Sequence, residues 1–447
     1  MNIRIDFPNR NIQPIVRRLL QAGLEAADPT VAMDHGVQVT NGILQVGKRR
    51  YNLNKCQRVV CVGAGKASAT MAVTVERLLG PRLEGGIVVV KDGHRLGTQK
   101  VQVLEAWHPV PDRRSERAGT SILELVASLT SRDLLIVLLS GGASSLMAVP
   151  AGGLTLKDKQ ATTTLLLRCG ATIHEINTVR KHLSGIKGGQ LAMNTSATVV
   201  TLALSDVLGD DLATIGSGPT APDPTTFSDA HTILKKYHVW QDVPTSVRKH
   251  VEAGVKGNVS DTPKPGIGLF KRVHHEVIGN NRMAIESVAK QAKSLGFKTL
   301  ILTTKLQGEA HEMGAMLAAV AREIHESGNP VPPPACLLWG GELTVKVTGK
   351  GKGGRAQEFA LAAALKIAGF PKTCVVGFGT DGNDGPTDAA GALVDGETVA
   401  RTLKRSCDPS QALVRHDSYT FFKKAGGHIL TGPTGTNVND IYMLLAM

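Results

Sequence analysis

The run Val59-Val60-Cys61-Val62-Gly63-Ala64-Gly65-Lys66-Ala67-Ser68 decides the fold. Four apolar residues in a row make a short strand, and the glycine after them marks a turn. Onward to residue 79, Met71, Val75, Leu78 and Leu79 recur at helical spacing, and Gly80 is a plausible stop. The order is strand, tight turn, helix, and it repeats along the chain. Residues 86–90 are a second strand, ending at Lys91-Asp92-Gly93, and 115–129 a helix. Residues 134–139 are apolar at every position, the mark of a strand covered on both faces. Helices over 155–168 and 175–193 and a strand over 198–204 follow. Strands alternating with helices predict a parallel sheet with helices on both faces.

Working outward, residues 11–27 form an amphipathic helix through Ile12, Ile15, Val16, Leu19, Leu20 and Leu24. Pro219, Pro222 and Pro224 punctuate the chain, and a helix over 229–237 follows. The polar stretch 256–266, with Pro263 and Pro265, marks a domain boundary, giving domains 1–262 and 263–447. The second domain repeats the alternation. Strands are expected at 274–278, 299–303, 336–339, 343–347 and 374–378, and helices at 284–295, 309–326 and 355–368. The fold class is therefore α/β, with two α/β domains, the larger one N-terminal and the smaller C-terminal.

Composition narrows the function classes. Of 447 residues, 42% are hydrophobic and 20% charged, which excludes a disordered chain. Lys and Arg (51) exceed Asp and Glu (38), for a net charge of +13. The basic residues are scattered, with no run of five, and aromatics are only 4%, too few for base-stacking platforms. Small anionic substrates fit this pattern better than nucleic acid. The six cysteines, at 56, 61, 169, 336, 374 and 407, show no CxxC or zinc spacing and read as reduced thiols. No apolar run approaches the roughly 18 residues a membrane span needs. Residues 1–11 do not read as a signal peptide, and Asp6 with no serine argues against a mitochondrial presequence. Cytoplasm is the expected location, without a membrane partner; a homodimer stays open.

In an open parallel sheet, ligands bind beyond the carboxyl ends of the strands. After the first strand, Gly63-Ala64-Gly65-Lys66-Ala67-Ser68 fails the dinucleotide fingerprint, because Ser68 stands where the third glycine belongs. It also fails the P-loop pattern, with Val60 and Ala67 at key positions. Two glycines opening a helix with Lys66 in its first turn remain, a place for a phosphate. After the third strand, Ser140-Gly141-Gly142-Ala143-Ser144-Ser145 has the small residues and hydroxyls of an anion cradle. Arg180, Lys181, His182 and Lys187 form a basic segment able to grip a carboxylate. Asp206, after the fourth strand, is placed to orient Mg²⁺ or take a hydroxyl proton, and Gly216-Ser217-Gly218-Pro219 follows it. Asp210 and Asp211 read as helix N-terminal charges. In the second half, Gly340-Gly341-Glu342 precedes a Gly/Lys segment, 349–354, read as a mobile hairpin presenting Lys350, Lys352 and Arg355 to phosphates. The loop from Thr380 to Asp388 is acidic but lacks the Glu an EF-hand needs, since Gly391 is not acidic.

Together these segments resemble the class II glycerate kinases, also called glycerate 2-kinases or the MOFRL family. The resemblance extends to His108-Pro109-Val110-Pro111-Asp112, to Ile176–Ser184, Lys187–Ala192, Ile278-Gly279-Asn280-Asn281, Gly354–Glu358 and Gly379-Thr380-Asp381-Gly382, in collinear order over nearly the whole chain. It implies a Rossmann-like N-terminal glycerate kinase domain, a MOFRL-type C-terminal domain, and an active site in the cleft between them. It implies phosphorylation of D-glycerate at the 2-hydroxyl, with ATP as donor and Mg²⁺ as cofactor. The family's catalytic lysine falls on Lys66 and its arginine on Arg355, with Asp206 as a further catalytic or metal-binding residue. Gly65, Ser68, Ser140, Gly141, Gly142, Ser144, Arg180, Lys187, Gly216, Ser217, Asn280, Gly341, Glu342 and Asp381 are expected to bind substrate or nucleotide, with Arg180 or Lys187 on the glycerate carboxylate. The alternatives are an NAD(P)H-dependent hydroxypyruvate reductase and a non-catalytic anion-binding regulator.

Overall fold

The computed structural model describes residues 2–403 and 407–447. The chain divides into two compact units, Ala32–Ile278 and Met1–Val31 with Gly279–Met447.

The first unit is built on a six-stranded sheet. Its spatial order is Val273–Gly279, Thr198–Leu204, Leu134–Leu139, Val59–Ala64, Gly85–Lys91, Val101–Ala106. The pairings from Thr198–Leu204 through Val101–Ala106 are all parallel. Leu134–Leu139 and Val59–Ala64 are buried at every position, as continuous apolar runs require when helices cover both faces. The chain runs outward from Val59–Ala64 to one side, then returns to place Leu134–Leu139 on the other. These two central strands therefore flank the topological switch point, where the loops after Ala64 and Leu139 emerge side by side. The expected helix over 175–193 is interrupted. Ile173–His182 ends near Leu183, and Gly188 and Gly189 take φ of 58° and 84°, outside helical space, before the short turn Gln190–Met193. A three-stranded antiparallel ribbon, Val37–Thr40, Ile43–Val46 and Arg49–Asn52, the strand Val101–Ala106 and the helices Ala143–Leu146 and Thr245–Val255 are absent from the sequence reading of this unit.

The second unit holds a seven-stranded mixed sheet. Its order is Arg4–Ile5, His428–Leu430, Gly391–Asp395, Thr373–Gly379, Asp440–Ala446, Ala335–Gly341, Lys298–Leu306. The last pair is parallel and the others antiparallel. The helix Ile12–Ala27 lies on Asn281–Ser294: Gly23 admits the approach, since a Cβ there would sit 2.8 Å from Ile441 and 2.9 Å from Val288. The Ser287 hydroxyl donates to Ala22 O at 2.9 Å. The first 31 residues thus join the C-terminal unit, and the division near residue 278 differs from the expected boundary at 262. Residues 273–278 supply the edge strand of the first sheet, so they stay with that unit. The expected strand at 343–347 is an irregular segment with one bridge, Thr344 to Glu309. The core here gathers Trp339, Phe359, Phe421, Phe422 and Tyr442 around alanine-rich helices.

Candidate functional site

At the switch point the two glycine-rich loops lock together. Lys66 N–H donates to Gly141 O at 2.9 Å, and Ala67 N–H donates to Ser140 Oγ at 3.0 Å. Gly65 has φ of +137°, and a Cβ on it would lie 2.1 Å from Ser140 Oγ. Only glycine fits so close an approach. Ser68 is fully buried; its hydroxyl is spent on Leu138 O and Ser140 Oγ, each 3.4 Å away, so it fastens the loops together. The helix begins at Ser68, which leaves Lys66 in the turn before it, half-buried, not in the first helical turn as expected.

Asp206 closes one side of this cradle. A Cβ on Gly141 would be 2.3 Å from Asp206 Oδ2, so the carboxylate lies against the bare glycine. Gly142, at φ +90°, faces His108, whose ring atoms would be 3.0–3.1 Å from an added Cβ. Burial, then the charges of Lys66, Lys91 and His94, push His108 down to about 4, so this ring is neutral at neutral pH. Ser144 Oγ is 2.8 Å from Ser217 Oγ, which in turn bonds Asn177 Oδ1 at 3.2 Å. Gly216 and Gly218, at φ 59° and 60°, make the turn that presents Ser217.

Beside the cradle is a cavity of about 370 Å³ lined in part by His108, Gly142, Ser144, Lys159, Arg180 and Lys187. Lys187 is buried, donating to Ser144 O at 2.6 Å and Met147 O at 3.3 Å. Burial, with the charges of Lys159 and Arg180, drives it well below the ordinary lysine range. Lys159 donates to Leu183 O at 2.8 Å and Val149 O at 3.4 Å, and burial followed by the Arg180 charge holds it down to about 7. Lys181 and His182, by contrast, are engaged by Asp223 and Asp261. Lys159 escaped the sequence reading. Its signal was a lysine on the apolar stripe Leu156, Lys159, Thr162, Leu166 of one helix.

The second unit carries its own cluster. Arg355 opens the helix Arg355–Lys366 and holds Asp440 with two nitrogens, Nε to Oδ2 at 2.6 Å and Nη2 to Oδ1 at 3.1 Å. Its Nη1 donates to Glu342 Oε1 at 2.6 Å, and Asn439 Nδ2 donates to the other oxygen of Glu342 at 3.0 Å. Tyr442 donates its hydroxyl to Asp440 Oδ2 at 2.7 Å. Burial raises Asp440 to about 7 even against Arg355; burial lowers Arg355, but Asp440 and Glu342 together outweigh it and raise the arginine, keeping it cationic. Asp384 caps the same helix, accepting from Ala356 N–H at 3.0 Å and Gln357 N–H at 2.8 Å. Gly341 ends the strand before Glu342. Asn280 caps the helix Asn281–Ser294 through Met283 N–H, and Asp381 turns its own loop by accepting from Asn383 N–H at 3.1 Å. Segment 349–354 is not a hairpin. Gly351 N–H donates to Arg415 O, and Lys352 sits 4.6 Å from the centre of the Tyr419 ring, which fixes the strap to residues 415–419. Asp440 and Asn439 were missed, although an aspartate opening the apolar run 441–446 was a visible oddity.

The fold and these clusters define an α/β protein built to handle small anions. A family described as "Domain of unknown function (DUF4147)" matches residues 15–252, and the MOFRL family matches 335–440. A Pyrococcus horikoshii protein named glycerate 2-kinase is 42% identical over 97% of this chain and 97% of its own. An Agrobacterium vitis protein, named only provisionally as a hydroxypyruvate reductase, is 42% identical over 99% of this chain and 96% of its own. The crystal structure of Thermotoga maritima glycerate kinase superposes with a TM-score of 0.88 at 40% identity, covering 98% of this chain and all of that one. The chain belongs to the glycerate kinase family of the MOFRL type.

Proposed function

We propose that this chain transfers the terminal phosphoryl group of ATP to the 2-hydroxyl of D-glycerate, giving 2-phospho-D-glycerate and ADP. The observation that carries the reading is the interlocked pair of glycine- and serine-rich loops at the switch point, with Lys66 on one and Asp206 against the other. The relative named glycerate 2-kinase supports the choice of substrate.

In the reaction a bond forms between the 2-oxygen and the γ-phosphorus. The electron pair of the broken bridging bond stays on the ADP oxygen, and the hydroxyl proton passes to Asp206 or to water. Such a transfer asks a protein mainly for position and for cations on the phosphoryl oxygens. Lys66 supplies one cation and Arg355 the other. Arg180 and Lys187 bind anionic groups of the substrates, and the backbone and hydroxyls of Ser140–Ser144 and Gly216–Ser217 cradle them. Asp206 orients the 2-hydroxyl or takes up magnesium. Magnesium ordinarily uses one or two carboxylates together with substrate phosphates. Among the described residues no group of three or more His, Cys, Asp and Glu is arranged for a metal ion. A single carboxylate beside Gly141 fits magnesium carried in on the nucleotide. No described helix is long and apolar enough to cross a membrane, and all six cysteines are unpaired, which supports the reducing cytoplasm as the location.

The reductase reading is weaker. Ser68, buried between Leu138 and Ser140, fills the place of the third glycine that a dinucleotide loop needs for close helix–strand packing. ADP release that requires D-glycerate, with no NADH oxidation on hydroxypyruvate, tests the class. NADH oxidation without ADP release would reverse it.

A further inference from the structure

The cavity beside the cradle is larger and less polar than a hydroxy acid needs. One wall is apolar: Pro109, Val110, Pro111, Ala148 and Leu167. Val110 and Leu167 are 52% and 60% exposed, an apolar rim with nothing laid over it. At about 370 Å³ the space falls in the range that holds drug-sized ligands, and D-glycerate has no apolar surface to set against that wall.

The other wall is basic. Lys159, Arg180 and Lys187 line it, and none of the three forms an ion pair among the described residues. The lysine bonds go to backbone carbonyls, which satisfy protons but do not neutralise charge. Three clustered, half- to fully buried basic groups, two of them lysines whose protons burial disfavours, are a strong site for a polyanion, whose charge restores those protons. The cavity of about 570 Å³ in the second unit has the opposite balance, with Glu358, Asp381 and Asp384 against Arg355 and His416.

We propose that the cavity between the segment 108–111 and the helix Leu156–Arg168 is the nucleotide pocket, with the base against Val110 and Leu167 and the phosphates on Lys159, Arg180 and Lys187. The proposal rests on the kinase reading and adds to it where the donor binds and that Lys159 belongs to the site. A polyphosphate also draws a proton onto Lys159. The charged and titratable groups around that ammonium are Arg180, Lys187 and His250, which oppose protonation, and Glu116, which favours it.

The test titrates the full chain by calorimetry with a non-hydrolysable ATP analogue and magnesium, and measures KM for D-glycerate separately. Leu167→Asp and Val110→Asp change exposed positions that the fold does not need. Each is expected to weaken the analogue about tenfold or more while KM for D-glycerate stays within about twofold. At about pH 8, in buffers of differing ionisation enthalpy, the wild type should take up protons on binding the analogue, and Lys159→Met should take up fewer. Unchanged analogue affinity in both aspartate variants, or a shift confined to KM for D-glycerate, overturns the proposal. If the wild type binds the analogue in this way yet phosphorylates no glycerate, the kinase reading fails and the pocket stands.

Discussion

Arg355 and Asp440 meet end-on, two guanidinium nitrogens on two carboxylate oxygens at 2.6 and 3.1 Å, with Tyr442 donating to the same carboxylate. The aspartate is buried and the arginine side chain is 32% exposed, so one end of the pair is fixed while the other reaches the surface. Paired in this geometry, the arginine is held in one orientation before any substrate arrives.

Replacing Asp440 by Asn removes that hold. Breaking a buried pair typically costs 3–5 kcal/mol, and the partial exposure of Arg355 lowers the expectation to about 2–3 kcal/mol. Urea unfolding of Asp440→Asn should show that loss, and kcat should fall with it. An undiminished kcat in a folded variant would remove Arg355 from the reaction.

Gly141→Ala tests the cradle. The added methyl would stand 2.3 Å from Asp206 Oδ2, so the carboxylate or the loop must shift. A displacement of about 1 Å in a catalytic site can cost about a hundredfold, and turnover is expected to drop by that order while the far-UV circular dichroism is retained.

Lys66→Met should abolish turnover, lowering kcat by about a thousandfold, while the ATP analogue still binds. Steady-state kinetics and calorimetry on the same preparation separate the two effects. A kcat near that of the wild type would eliminate the lysine's role.

Lys159 ties stability to pH. Its value in the fold is about 7, against about 10.4 in an unfolded chain. As pH falls from about 10 to about 7 the unfolded chain takes the proton first, so the native state loses stability across that window and no further below it. The penalty is on the order of 4 kcal/mol. Lys159→Met should flatten this part of the stability curve, measured by urea unfolding at a series of pH values. A curve parallel to the wild type's would show that Lys159 is not held neutral by burial.

Much of this was legible in the sequence. Continuous apolar runs such as Leu134–Leu139, each followed by glycine and serine, announce buried parallel strands with ligand loops at their ends, and the first sheet has that form. The loops around Lys66, Ser140 and Ser217 could be named for the same reason. The second sheet was harder. Asp440–Ala446 pairs antiparallel with strands on both sides, and such pairing joins segments from about 60 to about 110 residues apart in sequence, beyond the reach of local periodicity. The placement of residues 1–31 with the C-terminal unit depends on Gly23 packing against Val288 and Ile441, again a long-range contact. Lys159 and Asp440 were passed over because each is one charged residue inside an apolar pattern, and what it pairs with is set by tertiary structure alone. Ser68 shows the reverse. The resemblance sets it among the ligand contacts, whereas its hydroxyl is spent inside the fold.

The most direct test of the central claim is phosphorus NMR of the purified protein with ATP, Mg²⁺ and D-glycerate. A growing 2-phosphoglycerate resonance, matched by loss of ATP and gain of ADP, is the predicted result. A 3-phosphoglycerate resonance would contradict the assigned hydroxyl, and an unchanged ATP spectrum would contradict the kinase itself.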